Sequence, residues 1–169
     1  ATETPAELDA DTGFKETIKG LWIEAGLRMG LTRKDGTPMS RDDLANSETI
    51  PTVCIVAPPE DGDRAKTGNI KVRYFTPQQA HPSMAVTGGS CLAAACLIEG
   101  TTAHDVARDV KPLGSEIDVH PVLMENPAGI LKAEIRGAKT AKGIEVEHAA
   151  YQRSMQTLLR GYTPIYGAS

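Results

Sequence analysis

Aromatic side chains are scarce, with Phe, Trp and Tyr making up 4% of the chain. A core must therefore be built from Ala, Val, Ile and Leu. Cysteine is scarce too, and Cys54, Cys91 and Cys96 are too few for a disulfide framework. Each lies among apolar neighbours and reads as a small buried hydrophobe in a reducing compartment. The histidines His81, His104, His120 and His148 are scattered, with no cysteine or carboxylate at metal-ligand spacing, so no metal is expected. There is no basic stripe and the net charge is −4, which argues against a nucleic-acid partner. The longest apolar run, Cys91 to Ile98, is too short to span a bilayer. The acidic opening ATETPAELDAD matches neither a signal peptide nor a transit peptide. The expectation is a cytoplasmic protein with no membrane partner.

At 169 residues the chain is long enough for one domain with a real core. Residues 1–11 read as an arm or linker. Asp11 or Thr12 can cap a helix, on which Ile18, Leu21, Trp22, Ala25 and Met29 form an apolar stripe ending near Gly30. Residues 32–51 are polar and rich in turn formers and read as a long surface loop. TVCIV, Thr52 to Val56, reads as a buried strand between prolines. Asn69 to Thr76 alternates Ile70, Val72 and Tyr74 with Lys71, Arg73 and Phe75, which predicts a half-buried strand. Later, Glu116 to His120, Ile130 to Arg136 and Ile144 to His148 alternate in the same way, with turns at NPAG and GAKTAKG. That pattern predicts an antiparallel meander with His120 and His148 on its polar face. Ala149 to Leu159 reads as a last strand running into an irregular or helical end.

The informative segment is HPSMAVTGGSCLAAACLIEGT, His81 to Thr101. A small-residue turn, Thr87-Gly88-Gly89-Ser90, precedes a helix-length run with no polar face. Such a helix must be enclosed on all sides. Its first turn leaves backbone N–H groups without partners at the positive end of the helix dipole. That end can hold an anion, and a carboxylate is the obvious guest. An apolar helix followed by amphipathic strands fits an α+β fold with a mixed, mostly antiparallel sheet curled round a central helix. The regular strand–helix alternation of a doubly wound fold is missing.

The order of these pieces resembles the C-terminal half of the PrpF-like methylaconitate isomerases. That group includes oxalomesaconate tautomerases and methylitaconate isomerases and has the diaminopimelate-epimerase-like fold. The resemblance rests on PAELDAD, AGLRMGL, IPTVCIVAPP and, most specifically, His81 followed by Thr87-Gly88 and CLAAACLIEGT. Arg153 and Leu158 to Gly161 match the family's closing pattern, from which Met155, Gln156 and Thr157 depart. Members of the family have two domains. Their proton-transfer cysteine, in a Cys-Gly-Asn-type helix start, and lysine lie in the N-terminal one. This chain has no Cys-Gly-Asn motif. The resemblance therefore implies a single C-terminal domain that lacks the main acid and base and works with a missing N-terminal partner. Its apolar cleft surface would favour self-association.

The activity the resemblance implies is cofactor-independent migration of a double bond in a small unsaturated di- or tricarboxylate. In this chain the amides of Gly88, Gly89 and Ser90 would bind a substrate carboxylate, with hydroxyl donors from Thr87 and Ser90. His81 could bond a carboxylate or shuttle a proton; alternatively it is a turn histidine bonded to backbone. Thr87 could instead simply cap the helix, with the glycines serving tight packing. Arg73 or Arg153 could pair with a second carboxylate. Cys91, although near a helix start, reads as an inert buried thiol. Two other readings keep the fold: an amino-acid racemase or epimerase half, and a non-catalytic carboxylate-binding or assembly module. The racemase reading wants a second thiol at this helix start, where the chain has Val86-Thr87.

Overall fold

The computed structural model describes residues 3–61, 68–77, 79–153 and 157–162. Three helices come first: α1 (Pro5–Ala10), α2 (Thr12–Arg28) and α3 (Arg41–Ala45). They are followed by β1 (Val53–Ala57), β2 (Ile70–Thr76), β3 (Gln79–His81), α4 (Val86–Cys96) and α5 (Thr102–Val106). The chain then forms β4 (Asp118–Asn126), β5 (Gly129–Thr140) and β6 (Gly143–Tyr151). The fold is mixed α+β.

The strands form one sheet in the order β1-β2-β4-β5-β6, with β3 added to β2. The pairs are antiparallel except β2–β4, which run parallel through Ile70↔Met124 and Lys71↔Glu125. The sheet curls, and its inner face covers α4, which packs against β4, β5 and β6. Ile70, Val72, Val122, Met124, Ala133 and Ile135 meet Leu92, Ala93, Cys96 and Leu97 in this inner core. The outer face of β2 and β3 carries a second core in which Phe75 and Ala80 pack against Leu8, Ile18 and Trp22. β2 is therefore buried on both faces, not half-buried as its alternation suggests. Its outward Lys71 and Arg73 are buried as well. Lys71 pairs with Glu60, and Arg73 Nε donates to the carbonyl of Glu3 at 2.8 Å.

Within the expected arm at residues 1–11, Pro5–Ala10 form a helix instead. Thr4 and Glu7 form a reciprocal capping box, with Pro5 in the first turn. Asp11 then caps α2, accepting from the Phe14 amide at 2.9 Å. The buried stripe of α2 is Ile18, Trp22 and Gly26, while Leu21 and Met29 are exposed. The long polar segment after α2 is not all loop. Ser40 and Asp43 form a second capping box and start α3. Trp22 Nε1 donates to the carbonyl of Leu44 at 3.0 Å, fastening α3 to α2.

The β4–β5–β6 meander forms, but β4 starts two residues after Glu116 and runs on to Asn126, and Gly137 to Thr140 of the expected second turn belong to β5. Asn126 shapes the first turn, its Oδ1 accepting from the Ala128 amide at 2.8 Å. The face assignment at the start of β4 is the reverse of the expected one. His120 is buried, 6% exposed, on the inner face with Val122 and Met124, while Val119 is 46% exposed. The large apolar residues further along β4 fix the strand's parity, and a period of two carries His120 inward. His148 is exposed, as expected. Beyond Tyr151 the expected end splits: Met155 and Gln156 lie outside the described residues, and Leu158 to Gly161 have no regular secondary structure. Among the described residues no helix is long and apolar enough to cross a membrane.

Leu44 is fully buried between α3 and α2. Leu44→Ala is expected to destabilise the protein by about 2–5 kcal/mol in a urea melt. A loss under roughly 1 kcal/mol would mean that the helical layer melts independently of the sheet.

Candidate anion site at the start of α4

The small-residue segment is not a turn before the helix. Thr87, Gly88, Gly89 and Ser90 all lie inside α4, whose first residue is Val86 and whose N-cap is Ala85. The Gly89 amide donates to the Ala85 carbonyl at 2.9 Å, so it is already used. Ser90, the fifth residue, has its amide inside the i→i−4 ladder. Hence the amides expected at Gly88, Gly89 and Ser90 shift by two residues. The free donors are Val86, Thr87 and Gly88.

Among the described residues no side chain caps this end. Ala85 has no side chain that could cap, and no side-chain cap bond is made. Ala85, Val86 and Thr87 are exposed. Thr87, being the second residue of the helix, is not its cap. The first turn carries no acidic residue. By contrast α1, α2, α3 and α5 are each capped by a side-chain oxygen, from Thr4, Asp11, Ser40 and Thr101.

The glycines have a steric role. A Cβ on Gly88 would lie 2.7 Å from Tyr74 Cε2, and one on Gly89 would lie 2.2 Å from Tyr151 Cε2. Both rings sit where a larger residue could not tolerate them. Tight packing and open amides therefore coexist at one helix start.

α4 is not enclosed on all sides. Gly89, Leu92, Ala93 and Cys96 are buried, but Cys91 is exposed. Beside it runs an open groove of about 430 Å³ between β1, α4 and α5. Cys54, Tyr74, Gly88, Cys91, Leu92 and Ala95 are among its lining residues. The three thiols thus differ. Burial pushes the Cys54 thiol up to about 11 and the Cys96 thiol up to about 12. Cys91 is neither buried nor enclosed, contrary to the sequence expectation.

His81 ends β3, and its Nδ1 lies 3.0 Å from the Ser83 amide and 2.9 Å from the Ser83 carbonyl. In the tautomer that accepts from the amide, the ring proton sits on Nε2. The turn contact expected of this residue is therefore made. The His81 ring also meets Tyr74 edge-on, with centroids 6.4 Å apart at 84°. Since Tyr74 abuts Gly88, His81 reaches the α4 start through that ring. Arg153 lies over Tyr151, 5.6 Å from its centroid, and Tyr151 abuts Gly89. Burial pushes the Tyr151 phenol above its ordinary range, with Arg153 opposing. Arg73 is on the outer face of β2 and does not join this group. Tyr74 and Tyr151 were missed as site residues. The available signal was the glycine pair, which marks where bulky groups come close. Among the described residues no three His, Cys, Asp or Glu side chains gather in a way that could hold a metal ion.

The family described as PrpF protein matches residues 1–166. The chain belongs to this family. It is 32% identical over 133 residues to YbhH of Escherichia coli K12, a protein named provisionally as an isomerase. That match covers 79% of this chain and 31% of YbhH. It is 30% identical over 128 residues to the 4-oxalomesaconate tautomerase of Pseudomonas putida, covering 76% of this chain and 30% of that enzyme. The chain thus spans about a third of the length of these relatives. Among solved structures, a methylitaconate-delta-isomerase superposes with a TM-score of 0.64 at 21% identity. The superposition covers 90% of this chain and 39% of that one, and shows a shared fold.

Two measurements check the site's description. Ala85→Asp supplies the missing cap and is expected to stabilise the protein by about 0.5–2 kcal/mol; a lower melting temperature would mean that the end is already satisfied. At pH 8 a thiol with a pKa near 11 is ionised to roughly one part in a thousand. A thiol-disulfide reagent should therefore label Cys91 quickly and leave Cys54 and Cys96 unmodified until the protein is denatured.

Proposed function

We propose that the chain is the carboxylate-binding part of an isomerase that moves a double bond in a small unsaturated di- or tricarboxylate. What carries the reading is the uncapped, exposed start of α4 in a member of the PrpF protein family. The names of relatives support the substrate class: one is a 4-oxalomesaconate tautomerase and another a (4E)-oxalomesaconate Delta-isomerase.

The chemistry has one main difficulty, which is charge. Removing an allylic proton next to a carboxylate puts further negative charge on that part of the substrate. Fixed N–H dipoles aimed at the carboxylate oxygens stabilise that charge with no reorganisation at the moment of reaction. The amides of Val86, Thr87 and Gly88 offer such a set, at the positive end of the α4 dipole. No cofactor is needed in this scheme. The acid and base belong to the part of the molecule that the longer relatives carry beyond this stretch. That companion would close over the α4 start in a diaminopimelate-epimerase-like arrangement. His81, held by Ser83 and facing Tyr74, orients the approach to the site more readily than it takes the substrate proton. A racemase would want a thiol at this helix start, where Ala85, Val86 and Thr87 stand.

Gly88→Val would force a branched side chain onto the Tyr74 ring, so it tests packing as much as binding. Val86→Pro is cleaner. Val86 is 44% exposed and first in the helix, where proline is favoured. Ala85 already has the extended backbone that precedes proline, φ −65° and ψ 147°. The substitution deletes one free N–H and leaves the helix standing. In the full-length protein, kcat/KM for an oxalomesaconate-type acid, followed by ultraviolet absorbance, should fall about tenfold or more. Turnover within twofold of the wild type, with helix content unchanged, would refute the assignment.

A further inference from the structure

Tyr74 is 5% exposed, and its hydroxyl, which makes no hydrogen bond to a described residue, is not among the enclosed oxygens, so the oxygen itself keeps some access to solvent. The position of this hydroxyl shows where it opens. Oη lies 2.9 Å from where a Cβ of Gly88 would sit, and Tyr74 and Gly88 both line the groove beside α4. The hydroxyl is therefore held against the third residue of the helix, on the side where its side chain would be.

The ring that carries it is held in place. Tyr74 is paired with Cys54 on β1 and with His81 on β3, so two ladders fix its backbone. The His81 ring meets it edge-on, and the backbone of Gly88 limits it on another side. A donor fixed in this way keeps its direction whether or not a ligand is present.

We propose that Tyr74 contacts the substrate, its O–H donating to the carboxylate oxygen held by the Val86–Gly88 amides and closing the site toward the groove. The proposal rests on the reading of the α4 start as a carboxylate site. It adds a side-chain donor to a set otherwise made of backbone. One carboxylate can accept from all of these donors, because each oxygen has more than one lone pair. Gly88 then has two reasons to lack a side chain: its amide must reach the anion, and the Tyr74 hydroxyl must lie beside it.

The test is Tyr74→Phe in the full-length protein, with tricarballylate as the non-isomerisable probe. Phenylalanine keeps the ring against Gly88 and His81 and removes only the hydroxyl. The dissociation constant from isothermal titration should rise about tenfold, with the melting temperature unchanged. Saturating tricarballylate should also perturb the tyrosine absorbance band of the wild type, and this signal should be missing in the variant. Affinity within twofold of the wild type, or a wild-type band that does not respond, overturns the proposal. Val86→Pro separates the two readings. If it weakens binding and Tyr74→Phe does not, the Tyr74 assignment falls and the carboxylate site stands. If neither weakens binding, both fall.

Discussion

The arrangement depends on how closely two tyrosine rings approach the first turns of α4. Tyr74 comes from β2 and Tyr151 from the end of β6, so they reach the helix from different parts of the curled sheet. Gly88 and Gly89 admit them, and a methyl group on either would collide with ring carbons. This contact sets the distance between the helix start and the sheet. It also leaves the outer side of the first turn, at Val86 and Thr87, facing away from the core. Had the glycines been alanines, the helix would have to move outward or the rings would have to turn away.

β2 connects the site to the rest of the molecule. Its outer face is packed against α1 and α2 through Phe75, and its inner face against α4 through Val72 and Tyr74. Burying Lys71 and Arg73 on the outer face costs hydration, and the Glu60 carboxylate and the Glu3 carbonyl replace it. A strand buried on both faces has little freedom to shift. The groups it presents to α4 are consequently placed by the bulk of the fold, not by a loop.

Much of this was legible from the residues. The period-two alternation from Ile130 and from Ile144 located β5 and β6, and Asp11 marked the start of α2. The composition of the α4 segment pointed to a helix with small residues at its start. Its register was not legible, because Thr-Gly-Gly-Ser is as good a turn as it is a helix start. Only the tertiary contact with two rings makes the helical choice worthwhile. α1 and α3 carried readable signals in Thr4-x-x-Glu7 and Ser40-x-x-Asp43, which polar composition obscured. His120 was misplaced because local alternation around Val119 was followed instead of the heavier apolar set at Val122 and Met124. Tyr74 could not be found by pattern, since its role comes from a neighbour that is distant in sequence.

The contrast among helix starts bears on why the α4 end is built as it is. α1, α2, α3 and α5 satisfy an orphan amide with their own Thr, Asp or Ser oxygen. Replacing such a cap by alanine costs about 0.5–2 kcal/mol. At α4 the chain carries alanine at that position and accepts the cost. On the proposed reading of this end as a carboxylate site, a side-chain cap there would put an oxygen where the substrate's oxygen is to sit, and would compete with it at the effective concentration of a tethered group. On that reading, leaving the cap out reserves the interaction for the carboxylate, and binding would stabilise the fold by an amount that grows with ligand concentration. The glycine-lined ring contact fixes the helix so that it survives without a cap, and for this reason the packing of Gly88 and Gly89 and the openness of Val86 and Thr87 act as one device.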